Sequence, residues 1–259
     1  MALREAFNIC QGEVISLVGA GGKTTLMSAI ADELFNKNAR IISTTTTKIY
    51  EWQACGYTLI IEKDRDKILS DLPRILAEHR HISLASKKLP AERKLKGISP
   101  ETIVSIAESK QADYIIIEAD GAAMKLIKAP NPTEPVIPQN TTLVLAVVGI
   151  DALGATLNRE NVFRPEIVSR LTDLPMGGVV TVDTIATLVT HREGITKGSP
   201  PDARIIPVIN KMDLITEAGK AKTIAQKIIE VGHPRIERVV LCQLQSIEPI
   251  VDIITDFKR

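Results

Sequence analysis

The stretch Val14-Ile-Ser-Leu-Val-Gly-Ala-Gly-Gly-Lys-Thr-Thr25 decides how the rest of this chain is read. Residues 14–18 form a short, mostly apolar run, as expected of a buried strand. The glycine-rich turn Gly19-Ala20-Gly21-Gly22 follows. Lys23 then opens a segment in which Leu26, Ile30, Leu34 and Phe35 fall on one helical face. Strand, glycine turn, Lys-Thr-Thr and helix together make a phosphate-binding loop. Glycines let backbone N–H groups converge on a phosphate without interference from Cβ atoms. The helix N-terminus adds partial positive charge. In such a loop Gly19, Ala20, Gly21, Gly22, Lys23, Thr24 and Thr25 surround the nucleotide phosphates. Lys23 reaches the β- and γ-phosphates, and the Thr24 hydroxyl sits on Mg²⁺.

The usual spacing is Gly, four residues, then Gly-Lys-Thr. Counting back from Gly22 puts Leu17 where the first glycine belongs, so this loop is short. Similar short loops occur in Mur-type amide ligases. Related loops occur in the branch of P-loop NTPases that holds metal-insertion and cofactor-maturation GTPases.

A second signal is Asp113-Tyr-Ile-Ile-Ile-Glu118-Ala-Asp120-Gly121. An apolar strand delivers two carboxylates and a glycine at its C-terminal end. A P-loop protein places there the acid that holds Mg²⁺, directly or through water. Period two sends Glu118 and Asp120 to the same side, so both are candidates for metal and catalytic roles. The residues do not rank one above the other.

The third signal is Asn210-Lys211-Met212-Asp213, which ends the apolar run from Arg204 to Ile209 and matches the guanine-reading motif Asn-Lys-x-Asp. The aspartate accepts hydrogen bonds from N1–H and the 2-amino group of guanine. Adenine offers neither proton. The lysine stem packs over the base and the asparagine tethers the loop. GTP is therefore expected ahead of ATP. The turn after the last strand, Cys242-Gln-Leu-Gln-Ser246, does not match the Ser-Ala-Lys-like segment that often contacts the guanine oxygen.

Composition fits this reading. Apolar residues make up 44% of the 259 but aromatics only 3%, so the core must be Ile, Leu, Val and Ala. Such a core suits parallel strands buried on both faces. With 32 basic and 31 acidic residues the net charge is +1, which gives no footprint for nucleic acid or an anionic membrane. No apolar run reaches the roughly 18 residues a bilayer span needs. Met1 to Cys10 has no apolar core, so it does not read as a signal peptide. Cys10, Cys55 and Cys242 are far apart, and with His79, His81, His191 and His233 they form no zinc pattern. A reduced, cytoplasmic protein is expected. His79 and His81 read as edge residues ahead of a metal pair.

Further elements follow from periodicity and punctuation. Strands are expected at Ala39–Ser43, Tyr57–Ile61, His81–Ser86, Thr142–Gly149 and Ile236–Leu241. Helices are expected at Asp64–Glu78, bent at Pro73, and from Ser99 to near Lys110, with Ser99 as N-cap. Others are expected from Asn161 to Leu171, over Asp183–Thr190 and over Thr216–Val231, where Gly232 caps and Pro234 stops the last. The run Thr44-Thr45-Thr46-Thr47 lies where a hydroxyl can take a γ-phosphate oxygen or complete the Mg²⁺ shell. Lys87–Gly97 reads as a solvated basic loop, and Pro249–Phe257 as a short amphipathic tail. The expected fold is α/β and P-loop NTPase-like, a mostly parallel sheet sandwiched by helices. It is expected as a single domain over residues 1–259, with 123–140 as an extended proline-rich crossover.

The chain resembles the YqeC family, bacterial accessory proteins associated with selenium-dependent molybdenum hydroxylases. The resemblance rests on Val18-Gly-Ala-Gly-Gly-Lys-Thr-Thr25, Ser43-Thr-Thr-Thr-Thr-Lys48, Ile117-Glu-Ala-Asp-Gly121 and Lys128-Ala-Pro with Glu134-Pro-Val-Ile-Pro138. It also rests on Val148-Gly-Ile-Asp-Ala-Leu-Gly154 and Asn210-Lys-x-Asp213. Thr133 stands where relatives often carry a histidine, so a role for that histidine does not transfer. The resemblance implies a process, maturation of a selenium- and molybdenum-containing hydroxylase, with that enzyme or its maturation machinery as partner. A homodimer is compatible with this reading. The leading expectation is a Mg²⁺-dependent NTPase using GTP. The alternative is an ATP-using ligase or transferase that activates a small substrate near the proline-rich segment. A third reading is a nucleotide sensor that barely hydrolyses.

Overall fold

A computed structural model of the chain describes residues 1–54, 57–214 and 218–255. Chain order runs α1 (Leu3–Ala6), β1 (Val14–Gly19), α2 (Lys23–Asn36), β2 (Ile41–Thr45), β3 (Lys48–Tyr50), β4 (Thr58–Ile61) and α3 (Arg65–His79). It continues through β5 (His81–Ala85), β6 (Lys87–Leu89), β7 (Lys94–Lys96), α4 (Pro100–Glu108), β8 (Tyr114–Glu118), β9 (Ile127–Lys128) and β10 (Leu143–Gly149). The last third holds β11 (Val162–Phe163), α5 (Pro165–Thr172), α6 (Val182–Thr190), β12 (Arg204–Asn210), α7 (Ala218–Glu230), β13 (Arg238–Cys242) and β14 (Ile250–Thr255).

Among the described residues nine strands form one sheet in the order β14-β13-β12-β10-β1-β8-β2-β5-β4. Seven pairings are parallel and only β13–β14 is antiparallel. Period-two alternation along the strands feeds two apolar clusters, one on each face. Ile15 and Leu17 of β1, Ile116 of β8 and Leu145 of β10 meet Leu26, Ile30 and Leu34 of α2. Val14 and Val18, Ile115 and Ile117, and Val144 and Val148 join α3 to α7 through Leu72, Ile103, Val168, Ile185 and Ile224. The fold is the mostly parallel, helix-sandwiched α/β sheet expected from sequence.

Parallel pairing gathers the C-terminal ends of β1, β8, β2, β10 and β12 at one sheet edge. Leu17 pairs with Glu118, Thr45 with Glu118, and Gly149 with Asn210. Ligands bind at this edge in open α/β sheets.

Two expectations are corrected. The basic stretch 87–97 is not a plain loop: β6 and β7 pair antiparallel, and β3 completes a three-stranded sheet. Lys-Leu-Lys alternation drives this, because it turns Leu95 inward, fully buried, between two outward lysines. The C-terminal stretch is likewise not a separate amphipathic tail over its described part. Its β-branched Ile250, Val251, Ile253 and Ile254 build the edge strand β14. Cys55 and Thr216, and the end of the tail at Phe257, lie outside the described residues.

Candidate functional site

The phosphate loop is shaped by glycines that no other residue could replace without strain. Gly19, Gly21 and Gly22 have φ of 94°, 97° and 125°. A Cβ on Gly21 would run into the backbone of Gly149, and one on Gly22 into the Asn210 amide. The loop therefore packs backbone to backbone on the end of β10, where Ala20 N donates to Val147 O at 2.9 Å.

Lys23 is not the solvent-directed residue its motif position suggests. It is only 4% exposed. Its Nζ donates to Gly19 O at 2.7 Å and lies 3.1 Å from Asp120 Oδ1 and 3.6 Å from Glu118 Oε1. Burial opposes the charge, but Asp120 and then Glu118 outweigh it and raise the Lys23 pKa above its ordinary value. The reason is placement: the first helical residue after β1 faces the ends of β1 and β8, where both carboxylates sit.

Glu118 Oε2 accepts from Thr24 Oγ1 at 2.8 Å, and Asp120 Oδ2 accepts from Gly19 N at 3.0 Å. Both acids thus stand at the loop, on one side, as expected. Asp120 is fully buried, and its Oδ1 has the Lys23 ion pair but no hydrogen bond. Among the described residues no cluster of three His, Cys, Asp or Glu is built to hold a metal. Mg²⁺ needs less: it takes one or two carboxylates and completes its shell with water and phosphate oxygens. Thr24, Glu118 and the unsatisfied Asp120 oxygen fit that demand.

The threonine run divides. Thr44 Oγ1 donates to Leu84 O at 2.7 Å and Thr45 Oγ1 to Glu118 O at 2.8 Å, so both are spent on the sheet. Thr46 Oγ1 donates to Val136 O at 2.7 Å, which ties the run to the proline-rich segment. Thr46 and Thr47 line the cleft.

At the end of β12, Asn210 Nδ2 donates to Gly21 O at 2.9 Å. Leu244 N, in the segment after β13, donates weakly to Asn210 Oδ1 at 3.4 Å. Lys211, held at φ 66°, pairs with Asp151 at 2.5 Å. Asp213 lies exposed on the turn Met212–Leu214.

Sequence reasoning missed a second charged group behind the loop. Lys128 is fully buried, 2.9 Å from Asp120 Oδ2 and 3.1 Å from Glu134 Oε2, and it donates to Gly121 O at 2.6 Å. Arg164 holds the same Glu134 oxygen at 2.7 Å. Burial works to raise the Glu134 pKa, but Arg164 and Lys128 prevail and lower it. The Lys-x-Pro and Glu-Pro pieces were visible, but their burial was not. Gln53 was missed as well: it donates to Thr24 Oγ1 at 2.8 Å. His81, read as an edge residue, is instead buried in the inner strand β5, with Ser43 Oγ 2.8 Å from its Nε2.

Of these groups Lys23, Thr24, Gln53, Glu118, Glu134 and Lys211 line a cleft of about 970 Å³, which also takes in Gly21, Gly22, Thr25 and Phe163. The model of the YqeC protein family matches residues 15–166. The chain belongs to the YqeC family. The match spans the phosphate loop, the threonine run, both acids, Lys128, Glu134 and Arg164, and ends before Asn210. The uncharacterized protein YqeC of Escherichia coli (strain K12) is 32% identical over 205 residues, covering 76% of this YqeC-family chain and 75% of the relative. Among solved structures, two crystal forms of FtsY from Mycoplasma mycoides are similar at TM-scores of 0.43 and 0.39. They are 12% and 13% identical, and the matches cover 96% and 94% of this chain but only 65% and 64% of theirs. No described helix is long and apolar enough to cross a membrane.

Proposed function

We propose that this YqeC-family chain is a Mg²⁺-dependent GTP-binding and GTP-hydrolysing protein, acting as a single domain. The observation that carries the proposal is the Asn210 Nδ2–Gly21 O hydrogen bond of 2.9 Å. It joins Asn210, the first residue of Asn-Lys-x-Asp, to the glycine loop, which supports a guanine-reading role for the turn. In this reading the backbone N–H groups of Gly19 to Thr25 hold the phosphates. Lys23 turns from Glu118 and Asp120 towards the β- and γ-oxygens. Thr24 with Glu118 or Asp120 would hold Mg²⁺, and the ion would supply charge neutralisation at the phosphates. Lys211 covers the base, and Asp213 accepts from its N1–H and amino group. Calorimetry with GTP and ATP in the presence of Mg²⁺, followed by phosphate release, tests it. GTP should bind and turn over, and ATP should bind poorly.

The biological setting follows from the family resemblance alone: the cytoplasmic maturation of a selenium- and molybdenum-containing hydroxylase. Deleting the gene should lower that hydroxylase's activity and leave growth intact. Normal hydroxylase activity in the deletion strain would remove this part and leave the nucleotide chemistry standing. A second reading, an ATP-using ligase or transferase, is favoured by one observation. The cleft continues beyond the phosphate loop to Met124, Lys125 and Phe163, which gives room for a second substrate. A modified product beside the released phosphate would support it.

A further inference from the structure

This cleft is also lined by the small sheet. In it Lys48 stands across from Lys96, and Tyr50 across from Lys94. On the other side Lys87 also stands across from Lys96. Ile49 and Leu95 turn into an apolar cluster with Ala54 and Ala85. Lys48, Tyr50, Lys94 and Lys96 therefore share the opposite face, and all four line the cleft.

Like charges directly opposed in a sheet repel. Here Lys87, Lys96 and Lys48 form one row. Glu92 answers Lys48 at 2.9 Å and Lys94 at 3.8 Å. Among the described residues no carboxylate pairs with Lys96 or Lys87. Among the described residues Glu92 is the carboxylate paired with Lys48, Lys94 and Lys96 as a set, which leaves this face of the small sheet a surplus of two positive charges. One carboxylate would leave half of that surplus. A phosphate monoester, at about −1.5 to −2 near neutral pH, matches it. Lysine ammoniums meet such a group as point charges.

The position of this face is fixed. Tyr50 N donates to Gln53 Oε1 at 2.8 Å, and Gln53 Nε2 donates to Thr24 Oγ1 at 2.8 Å. One side chain therefore latches the small sheet to the residue assigned to the metal. In the same cleft Met124 is 77% exposed and, with Phe163, gives apolar surface for the body of a ligand.

We propose that the lysine face of the small sheet binds a second substrate that carries a phosphate group, alongside the terminal phosphate of the nucleotide. This rests on the nucleotide-site reading above. The test uses the full chain saturated with Mg²⁺ and a non-hydrolysable GTP analogue. Inorganic phosphate is the probe, titrated at constant ionic strength against chloride, with the midpoint of thermal unfolding as readout. Phosphate should raise the midpoint beyond chloride. The double variant Lys94→Gln/Lys96→Gln should weaken that effect about tenfold in phosphate concentration while the analogue binds unchanged. If the pair unfolds the small sheet, Lys96→Gln alone, at an exposed position, carries the same reading. Three results overturn the proposal: no phosphate effect beyond chloride, an effect that the variants leave unchanged, or variants that lose the analogue itself. The last would assign these lysines to the nucleotide's own phosphates. If wild type binds no analogue, the nucleotide reading fails by itself. The same titration without analogue, wild type against the variants, then still decides the lysine face.

Discussion

Thr24 and Glu118, 94 residues apart in sequence, meet through a 2.8 Å hydrogen bond from hydroxyl to carboxylate. The contact joins the first turn of α2 to the end of β8. It places on one spot the hydroxyl and the acid that a Mg²⁺ ion between phosphates would share. Glu118→Gln keeps an acceptor for the hydroxyl and removes the charge. A charge-assisted interaction of about 1.5–3 kcal/mol corresponds to roughly tenfold to a hundredfold in affinity. The Mg²⁺-dependent part of GTP affinity should fall by that factor in calorimetry with and without the metal. An unchanged Mg²⁺ dependence would take Glu118 off the metal side and leave Asp120.

Lys23→Ala should abolish triphosphate binding and also destabilise the fold, because it strands Glu118 and Asp120 in the interior. Breaking a buried ion pair by removing one partner costs about 3–5 kcal/mol. Lys128 still answers Asp120 at 2.9 Å, so the lower end of that range is expected. The double variant Lys23→Met/Asp120→Asn should recover much of the stability in urea unfolding and none of the binding. Recovered binding would show that Lys23 serves the fold and not the phosphate.

His81 sets a pH dependence. It is 2% exposed and lies against Tyr57 with ring centroids 3.5 Å apart and the rings tilted by 34°, and its Nδ1 has no hydrogen-bond partner among the described residues. Burial pushes its pKa down from 6.5 to about 4. The folded chain keeps the ring neutral while the unfolded chain takes up the proton. Stability from this group is therefore whole above pH 6.5 and is lost as pH falls towards 4, by about 3 kcal/mol in all. In His81→Asn that slope between pH 6.5 and 4 should vanish from urea midpoints; an undiminished slope would assign it to other groups.

Asp213→Asn should exchange base preference. Xanthine keeps N1–H but presents a carbonyl at C2, which the asparagine NH₂ can meet. GTP should weaken and XTP strengthen, each by at least about tenfold, since each charged hydrogen bond is worth roughly 1.5–3 kcal/mol. ATP should be poor for both proteins. If wild type binds ATP as well as GTP and the substitution changes neither, the turn Met212–Leu214 is a loop with no reading function, and the ATP-using alternative takes first place.

The sequence alone determined the sheet and pointed to the candidate site. Parallel strands buried on both faces need long β-branched and aliphatic runs, and those runs stand out at Val14–Val18, Tyr114–Ile117 and Leu143–Val148. Glycines at positive φ and carboxylates at strand ends are equally local signals, so Gly19–Thr25, Glu118, Asp120 and Asn210 were legible. Tertiary structure decided what those side chains touch. Lys23 turned inward because two acids from another strand lie within 4 Å of it, which no spacing along the chain encodes. Nothing in the spacing of Lys128, Glu134 and Arg164 marks them as partners, and only the fold gathers them as one ion-paired group beside Asp120. The lysines at 94 and 96 read as a solvated run until alternation around Leu95 turned one face of a small sheet into the cleft. Pairing between distant segments fixes burial and partner, and those two quantities set the charge balance of this site.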